Sequence, residues 1–233
     1  TLIREAVGPD IRLRVDANQG YTVNDAVRVL KEFEKIGVDA VEQCLPWWDM
    51  DGSKILRQKV DMQIMLDESI HSPVDAAKAC KMDAADILNI KLMKCGGLYP
   101  AEKINAIAEA NHVNCMVGCM LETKVAIAAG VSLVAAKSNI TEADCDSFMY
   151  AVDPENAGWL HHRGWRIYTV SETGSWSGSG FLIRIINAPR GCADRSHAPG
   201  LAEALTRKDY LIIWKVQHYF HQKAHCFWLC FLW

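Results

Sequence analysis

The sequence predicts an α/β fold in which parallel strands alternate with helices, as in an arc of a β/α barrel. Short apolar runs with strand character alternate with helical stretches along the first 150 or so residues. Five or six such strand–helix units fit part of a barrel, and an open doubly wound sheet remains the alternative. No glycine-rich phosphate loop follows the first strand, which argues against a dinucleotide-binding fold.

The predicted elements follow one another in regular order from residue 11. The helix at 22–38 is the clearest, because Thr22 and Asp25 resemble a capping box and Gly37 ends the apolar repeat. Predicted strands cover 11–18, 39–45, 63–69, 87–94, 114–120 and 142–148. Predicted helices cover 22–38, 52–59, 72–82, 99–112 and 122–138.

Composition excludes several classes of protein. Half of the 233 residues are hydrophobic and the net charge is −3, so neither disorder nor a nucleic-acid-binding surface is indicated. No apolar run approaches the roughly 18 residues of a membrane-spanning helix, and the start lacks the form of a signal peptide. Nine cysteines without a CxxC motif favour reduced thiols in the cytoplasm over a disulfide framework. The missing initiator Met suggests a fragment.

The strands at 11–18 and 87–94 each have one aliphatic face and one mixed face, since side chains alternate along a strand. We expect the aliphatic faces to pack on the helices and the mixed faces to point into the barrel. The aliphatic sets are Ile11, Leu13 and Val15, and Leu88, Ile90 and Leu92; the mixed sets are Arg12, Arg14, Asp16 and Asn18, and Ile87, Asn89, Lys91 and Met93. Lys94 falls on the opposite face from Lys91 and is expected to be structural or exposed.

Three carboxylates and one lysine recur near successive strand ends. Asp16, Glu42, Asp67 and Lys91 are separated by 26, 25 and 24 residues, about one strand–helix unit each. Three converging carboxylates need a cation, and oxygen ligands without Cys or His favour Mg²⁺ over Zn²⁺. Beside a metal and in an apolar interior, the pKa of Lys91 is expected to fall, which suits a base that removes a proton next to a carboxylate.

Four motifs carry a family resemblance in the predicted order. "RLRVDANQGY", "VEQCLPWWDMDG", "IMLDES" and "NIKLMKCGG" resemble the muconate-lactonizing branch of the enolase superfamily, most closely its dipeptide epimerases, over residues 1–150. A lysine base beside Mg²⁺ is a known enolase-superfamily pattern. The resemblance implies a (β/α)7β TIM-type barrel present from its third strand onward. It also implies that Asp16, Glu42 and Asp67 are metal ligands and that Lys91 is the acid/base.

The resemblance extends to the substrate. Asp144 and Asp146 are similar to an Asp-x-Asp on the eighth strand of dipeptide epimerases, where the pair holds the ammonium of an N-terminal residue. "VGCMLET" resembles the end of the seventh strand and brings Glu122 near the rim. These residues imply a dipeptide of the Ala-Glu type. A cycloisomerase and an N-acylamino-acid racemase are alternatives within the branch, although their substrates carry no ammonium.

Departures from the family pattern bear on activity. The chain starts after the strand that carries the family's Lys-x-Lys, so the second base is expected to be absent, together with the N-terminal capping domain. Residues 151–181 resemble the family only weakly, and 182–233 match nothing, so an aberrant tail is one hypothesis. We therefore expect a fragment without epimerase activity, and a non-enzymatic remnant is a further alternative. The sequence leaves the oligomeric state open, a homo-oligomer included.

Overall fold

The computed structural model describes residues 2–147 and three further strand segments. Within 2–147, six parallel strands alternate with helices. The strands are β1 (Arg12–Asp16), β2 (Val38–Glu42), β3 (Gln63–Leu66), β4 (Ile87–Ile90), β5 (Asn114–Val117) and β6 (Ile140–Ala143). The helices are α1 (Leu2–Val7), α2 (Val23–Lys35), α3 (Met50–Lys59), α4 (Pro73–Met82), α5 (Leu92–Cys95), α6 (Leu98–Ala110) and α7 (Lys124–Ala136).

The order of the strands decides between the two predicted architectures. Strands β1 to β6 lie side by side in chain order, every adjacent pair is parallel, and the order never reverses. A doubly wound sheet would reverse direction at a switch point, whereas a barrel does not. The fold is therefore a curled half-barrel of the TIM type, as the sequence predicted.

The three later segments add a hairpin and an edge strand. Strands β7 (Leu160–Arg163) and β8 (Arg166–Thr169) pair antiparallel, and β9 (Leu211–Lys215) pairs parallel with the free edge of β1. Apart from these strands, the predicted segments 151–181 and 182–233 lie outside the described residues. No helix in the described part of the chain is long and apolar enough to cross a membrane.

Local sequence explains where the helices begin and end. Thr22 caps α2, since its side chain accepts a hydrogen bond from the Asp25 amide at 3.3 Å, and Ser72 caps α4 in the same way. Such a cap stabilises a helix by about 1 kcal/mol. Gly37 follows α2 with a φ of +73°, a left-handed conformation that glycine adopts without strain. The predicted cap at Thr22 and the predicted ending at Gly37 are confirmed.

The sheet separates an outer core from an inner one. Aliphatic side chains of β1 and β4, such as Leu13 and Leu88, pack beneath the helices, while Met65, Ile87 and Met116 form a small cluster on the other face. The predicted faces are confirmed for Leu13 and Val15 on β1 and for Ile87, Leu88 and Ile90 on β4. Met65, Ile87 and Met116 thus give the inner face an apolar part, which lowers the local dielectric constant there.

The predicted strand at 87–94 is wrong in its second half. Strand β4 stops at Ile90, and the four-residue helix α5 starts at Leu92. The amides of Lys94 and Cys95 both donate to the Lys91 carbonyl, at 3.0 and 3.1 Å, which closes a helical turn instead of extending the strand. This turn carries Lys94 back toward the side of the sheet on which Lys91 lies, so the alternation of a strand no longer applies to it.

Candidate active site

Asp16, Glu42 and Asp67, which we call the carboxylate triad, lie at the carboxyl ends of three adjacent strands. Asp16 and Glu42 are the last residues of β1 and β2 and are direct partners in the parallel register. Asp67 follows the last residue of β3. The three residues are only 7%, 3% and 4% exposed. Because the strands are parallel, their carboxyl ends share one edge of the sheet, where barrels build their sites.

Asp67 is held by two lysines. The Lys91 ammonium lies 2.6 Å from Asp67 Oδ2, and the Lys94 ammonium contacts both Oδ1 and the main-chain oxygen of Asp67. Lys94 also donates to the Asn89 carbonyl at 3.1 Å, which engages all three of its donors. Lys94 is therefore buried and structural, and the prediction that it lies on the opposite face is wrong.

The pKa shifts of the two lysines have opposite directions. Burial lowers the pKa of Lys91, but the Asp67 carboxylate opposes this effect and the pKa ends above its usual value. Burial thus contributes the predicted lowering of the pKa, and the paired Asp67 carboxylate outweighs it. Burial dominates for Lys94 and holds its pKa below the usual value, despite the same carboxylate.

Glu42 is fixed by a neighbouring amide. Asn89 Nδ2 donates to Glu42 Oε1 at 2.6 Å, and both side chains are buried. Burial raises the pKa of Glu42, and the negative charge of Asp67 raises it further. Gly118, just past β5, leaves the room for this contact, because a Cβ atom there would lie 2.6 Å from Asn89 Oδ1 and 3.0 Å from Lys91 Cε.

Asp144 and Asp146 lie just beyond β6 rather than within it. The Asp144 amide still donates to the Val117 carbonyl at 2.8 Å, so the ladder with β5 continues for one residue. Cys145, between the two, is buried in the outer core, whereas Asp144 lies close enough to Glu42 to interact with its charge. Burial, Asp146 and Glu42 raise the pKa of Asp144 to about 7. Asp144 therefore shares an electrostatic environment with the carboxylate triad.

Glu122 lies in the loop between β5 and α7. Its carboxylate accepts a hydrogen bond from the Met120 amide at 3.0 Å, and its own amide donates to Ser147 Oγ at 3.2 Å. Glu122 is buried, and these two hydrogen bonds stay within the loop and the segment after β6. The contacts show a carboxylate that orders its own loop.

A buried ion pair crosses the interior of the arc. Arg14 on β1 is fully buried and contacts Glu142 on β6, and Arg12 reaches the same carboxylate at 3.0 Å. Burial lowers the pKa of Arg14 to about 10, although the charges of Glu42 and Asp144 oppose the shift. The first and last strands of the six-stranded arc are thus joined by side chains, one layer below Asp16 and Asp144.

We expect Glu142→Gln to lower the free energy of unfolding by about 3 to 5 kcal/mol, because it leaves the Arg14 charge buried without its counterion. Urea denaturation gives the value. The matched control is Glu102→Gln, which breaks a more exposed pair with Lys137 and should cost less than about 1 kcal/mol. Equal losses in the two variants would contradict a stabilising role for the buried Arg14–Glu142 ion pair.

The chemistry of the carboxylate triad fits a hard divalent cation. The triad offers only oxygen donors, its members are buried, and the charge of Asp67 already raises the pKa of Glu42. In the part of the chain that the structure describes, no three Asp, Glu, His or Cys side chains are gathered around a point that could hold an ion. Both carboxylate oxygens of Asp67 are occupied by lysines instead.

Comparison with known proteins identifies the family of this chain. The family described as Enolase C-terminal domain-like matches residues 1–167, which is well over half of the chain. The chain belongs to the enolase C-terminal domain-like family. Membership of the enolase superfamily, predicted from four motifs, is confirmed.

The relatives of this enolase-superfamily chain are epimerases and racemases. It is 42% identical to an L-Ala-D/L-Glu epimerase of Clostridium acetobutylicum over 174 residues, covering 74% of this chain and 49% of that protein. It is 39% identical to an N-succinyl-L-Arg/Lys racemase of Bacillus cereus over 143 residues, covering 61% and 39%. Both names are those of isomerases, the class of enzyme that the sequence predicted. The chain spans half or less of the length of these relatives.

A solved structure shows the same fold with ligands. The dipeptide epimerase of Enterococcus faecalis, complexed with Mg and the dipeptide L-Leu-L-Tyr, superposes with a TM-score of 0.65 at 38% identity. The match covers 78% of this enolase-superfamily chain and 50% of the epimerase. The resemblance to dipeptide epimerases therefore holds in both sequence and fold.

Proposed function

We propose that this chain carries the catalytic barrel half of a Mg²⁺-dependent dipeptide epimerase with substrates of the Ala-Glu type. The observation that carries the proposal is one edge of the sheet that combines three buried carboxylates and a lysine at the ends of strands β1 to β4 with two aspartates after β6. The six described cysteines are free thiols, which fits a cytoplasmic location.

Each residue has a chemical task in this proposal. Asp16, Glu42 and Asp67 would hold Mg²⁺, which supplies positive charge to the substrate carboxylate while the neighbouring carbon loses its proton. Lys91 accepts or returns that proton at Nζ, the atom now paired with Asp67 Oδ2. Asn89 keeps the Glu42 carboxylate in place at 2.6 Å. Epimerisation also needs a proton at the opposite face of the carbon, which Lys91 alone does not supply.

Asp144 and Asp146 provide the other end of the substrate site. Two neighbouring carboxylates suit an ammonium, and burial strengthens a charge-assisted hydrogen bond. A dipeptide carries an ammonium at one end and a carboxylate at the other, as this site requires. An N-acylamino acid lacks the ammonium, so this pair favours a dipeptide over the racemase and cycloisomerase alternatives.

We expect Asp144→Asn to weaken binding of Ala-Glu by about 10- to 100-fold while leaving binding of an N-acetylated Ala-Glu nearly unchanged, because only the former has an ammonium to pair. Titration calorimetry in the presence of Mg²⁺ measures both. Glu109→Gln, which removes an exposed charge at the end of α6, is the control and should alter neither. Equal losses for both ligands in Asp144→Asn would remove the dipeptide assignment.

We also expect dipeptide binding to depend on pH through Asp144. With a pKa raised to about 7 by burial and by Asp146 and Glu42, the carboxyl is protonated below neutral pH and cannot pair with an ammonium. Affinity should rise from about pH 6 to pH 7.5, before the dipeptide amine itself starts to lose its proton near pH 8. Calorimetric titrations across this range test the rise, and Asp144→Asn should flatten it. The same rise in Asp144→Asn would assign it to another group.

A further inference from the structure

Gln43 directly follows Glu42 and has two unusual properties. Its side chain is fully buried, and its backbone has a φ of +35°, a conformation that residues other than glycine seldom adopt. Such a conformation persists where the surrounding contacts over-determine it, and it clusters at functional sites.

The amide of Gln43 joins the turn after β2 to the turn after β3. Its Oε1 accepts hydrogen bonds from the main-chain amides of Asp67, at 2.8 Å, and Ser69, at 3.2 Å. Its Nε2 donates to the Leu45 carbonyl and to Ser69 Oγ, each at 2.9 Å. Two bonds accepted and two donated use the whole capacity of a glutamine side chain. The side chain is therefore locked in one position.

These contacts link two members of the carboxylate triad through a short path. Glu42 is the neighbour of Gln43 in the chain, and the Asp67 amide is bound by the Gln43 side chain. The main chain makes a parallel link, since the Gln43 amide donates to the Met65 carbonyl at 2.9 Å. We infer that Gln43 is a positioning residue that sets the spacing between Glu42 and Asp67 and so the affinity for Mg²⁺. This inference rests on the proposed function.

The substitution Gln43→Asn separates the role of the amide from the role of the backbone. Asparagine tolerates a positive φ better than glutamine and keeps a polar amide, so it fits the turn at least as well. Its side chain is one methylene shorter and cannot reach the Asp67 and Ser69 amides. A purely conformational role predicts no harm from this change, whereas a positioning role predicts a loss.

We expect Gln43→Asn to weaken Mg²⁺ binding by about 10- to 100-fold, the usual effect of losing a partner that orients a metal ligand. Calorimetric titration of the full chain with Mg²⁺ alone measures this. The matched control is Asn105→Ala, which removes another buried amide, on the outer helix α6, and should leave the affinity within about twofold. Wild-type affinity in Gln43→Asn would overturn the inference.

Amide hydrogen exchange without metal provides a second, independent readout. In Gln43→Asn the Asp67 and Ser69 amides should exchange about tenfold faster, while the amide of residue 43 keeps its bond to Met65 and its rate. Gln43→Glu retains an acceptor for both amides and should restore their protection. If the wild-type chain binds no Mg²⁺, the proposed function fails. Hydrogen exchange then tests only whether the Gln43 side chain holds the Asp67 and Ser69 amides in place. Unchanged exchange at Asp67 and Ser69 would overturn the inference in either case.

Discussion

Mg²⁺ is expected to raise the melting temperature of the wild-type chain by about 5 to 10 °C, and Asp67→Asn is expected to abolish that rise. A ligand at 100 times its dissociation constant stabilises a protein by about 2.7 kcal/mol, which corresponds to that shift in a chain of this size. Asp67→Asn removes a charged oxygen donor from the middle of the proposed site. Differential scanning calorimetry with and without Mg²⁺ gives the shift for each protein.

The comparison must separate metal binding from folding. Asp67→Asn also leaves the buried Lys94 ammonium without its carboxylate, so the variant should melt at a lower temperature even without metal. The relevant quantity is therefore the increment caused by Mg²⁺ in each protein. Asp61→Asn is the control, because Asp61 is exposed and lies just before the first residue of β3, whereas Asp67 follows the last one. An equal increment in wild type and Asp67→Asn would count against the metal site.

Lys91→Met is expected to reduce exchange of the substrate α-hydrogen with deuterated water by about 100- to 10 000-fold, the range that a positioned acid/base contributes. Lys94→Met should retain exchange within about tenfold of wild type. The physical reason is the number of free N–H donors on each ammonium. Lys94 uses all three donors in hydrogen bonds to Asp67 and Asn89, whereas among residues 2–147 Lys91 donates to Asp67 alone. Proton NMR of Ala-Glu with Mg²⁺ measures the exchange.

The stereochemistry of the exchange adds a sharper criterion. A single lysine removes a proton from one face of the α-carbon and returns it to the same face, so Lys91 alone predicts exchange of one epimer without inversion. Lys94→Met also removes a buried charge, so both variants must be checked for folding by circular dichroism. Loss of exchange in Lys94→Met with full activity in Lys91→Met would reverse the two roles. Rapid inversion by the wild-type chain would reveal a second base.

Local patterns were sufficient for the elements of the half-barrel. The alternation of strands and helices, the Thr22 cap and the Gly37 ending were all readable, because periodicity and capping depend on residues close in sequence. The same holds for the faces of β1 and β4, since alternation along a strand assigns each side chain a side. The prediction failed where β4 turns into α5 at Lys91. A helix of four residues is too short to show a period.

The sequence alone identified part of the candidate site. The regular spacing of Asp16, Glu42, Asp67 and Lys91 follows from one residue at each strand end, and it singled out four positions without coordinates. The side chains that hold those residues in place could not be predicted from the sequence. Asn89 offered one signal, a polar residue inside an apolar strand, whereas nothing near Gln43 in the sequence marks it as a partner of the Asp67 amide.

The sequence by itself determined the order of the elements, the faces of β1 and β4, and the positions of the three carboxylates and Lys91 at the strand ends. Tertiary structure alone decided which charges meet. The curl of the sheet brings Arg14 to Glu142, 128 positions later in the chain, and the α5 turn brings Lys94 beside Lys91 on Asp67. Burial and opposing charges then set the ionisation of these groups, and both depend on neighbours that are distant in sequence.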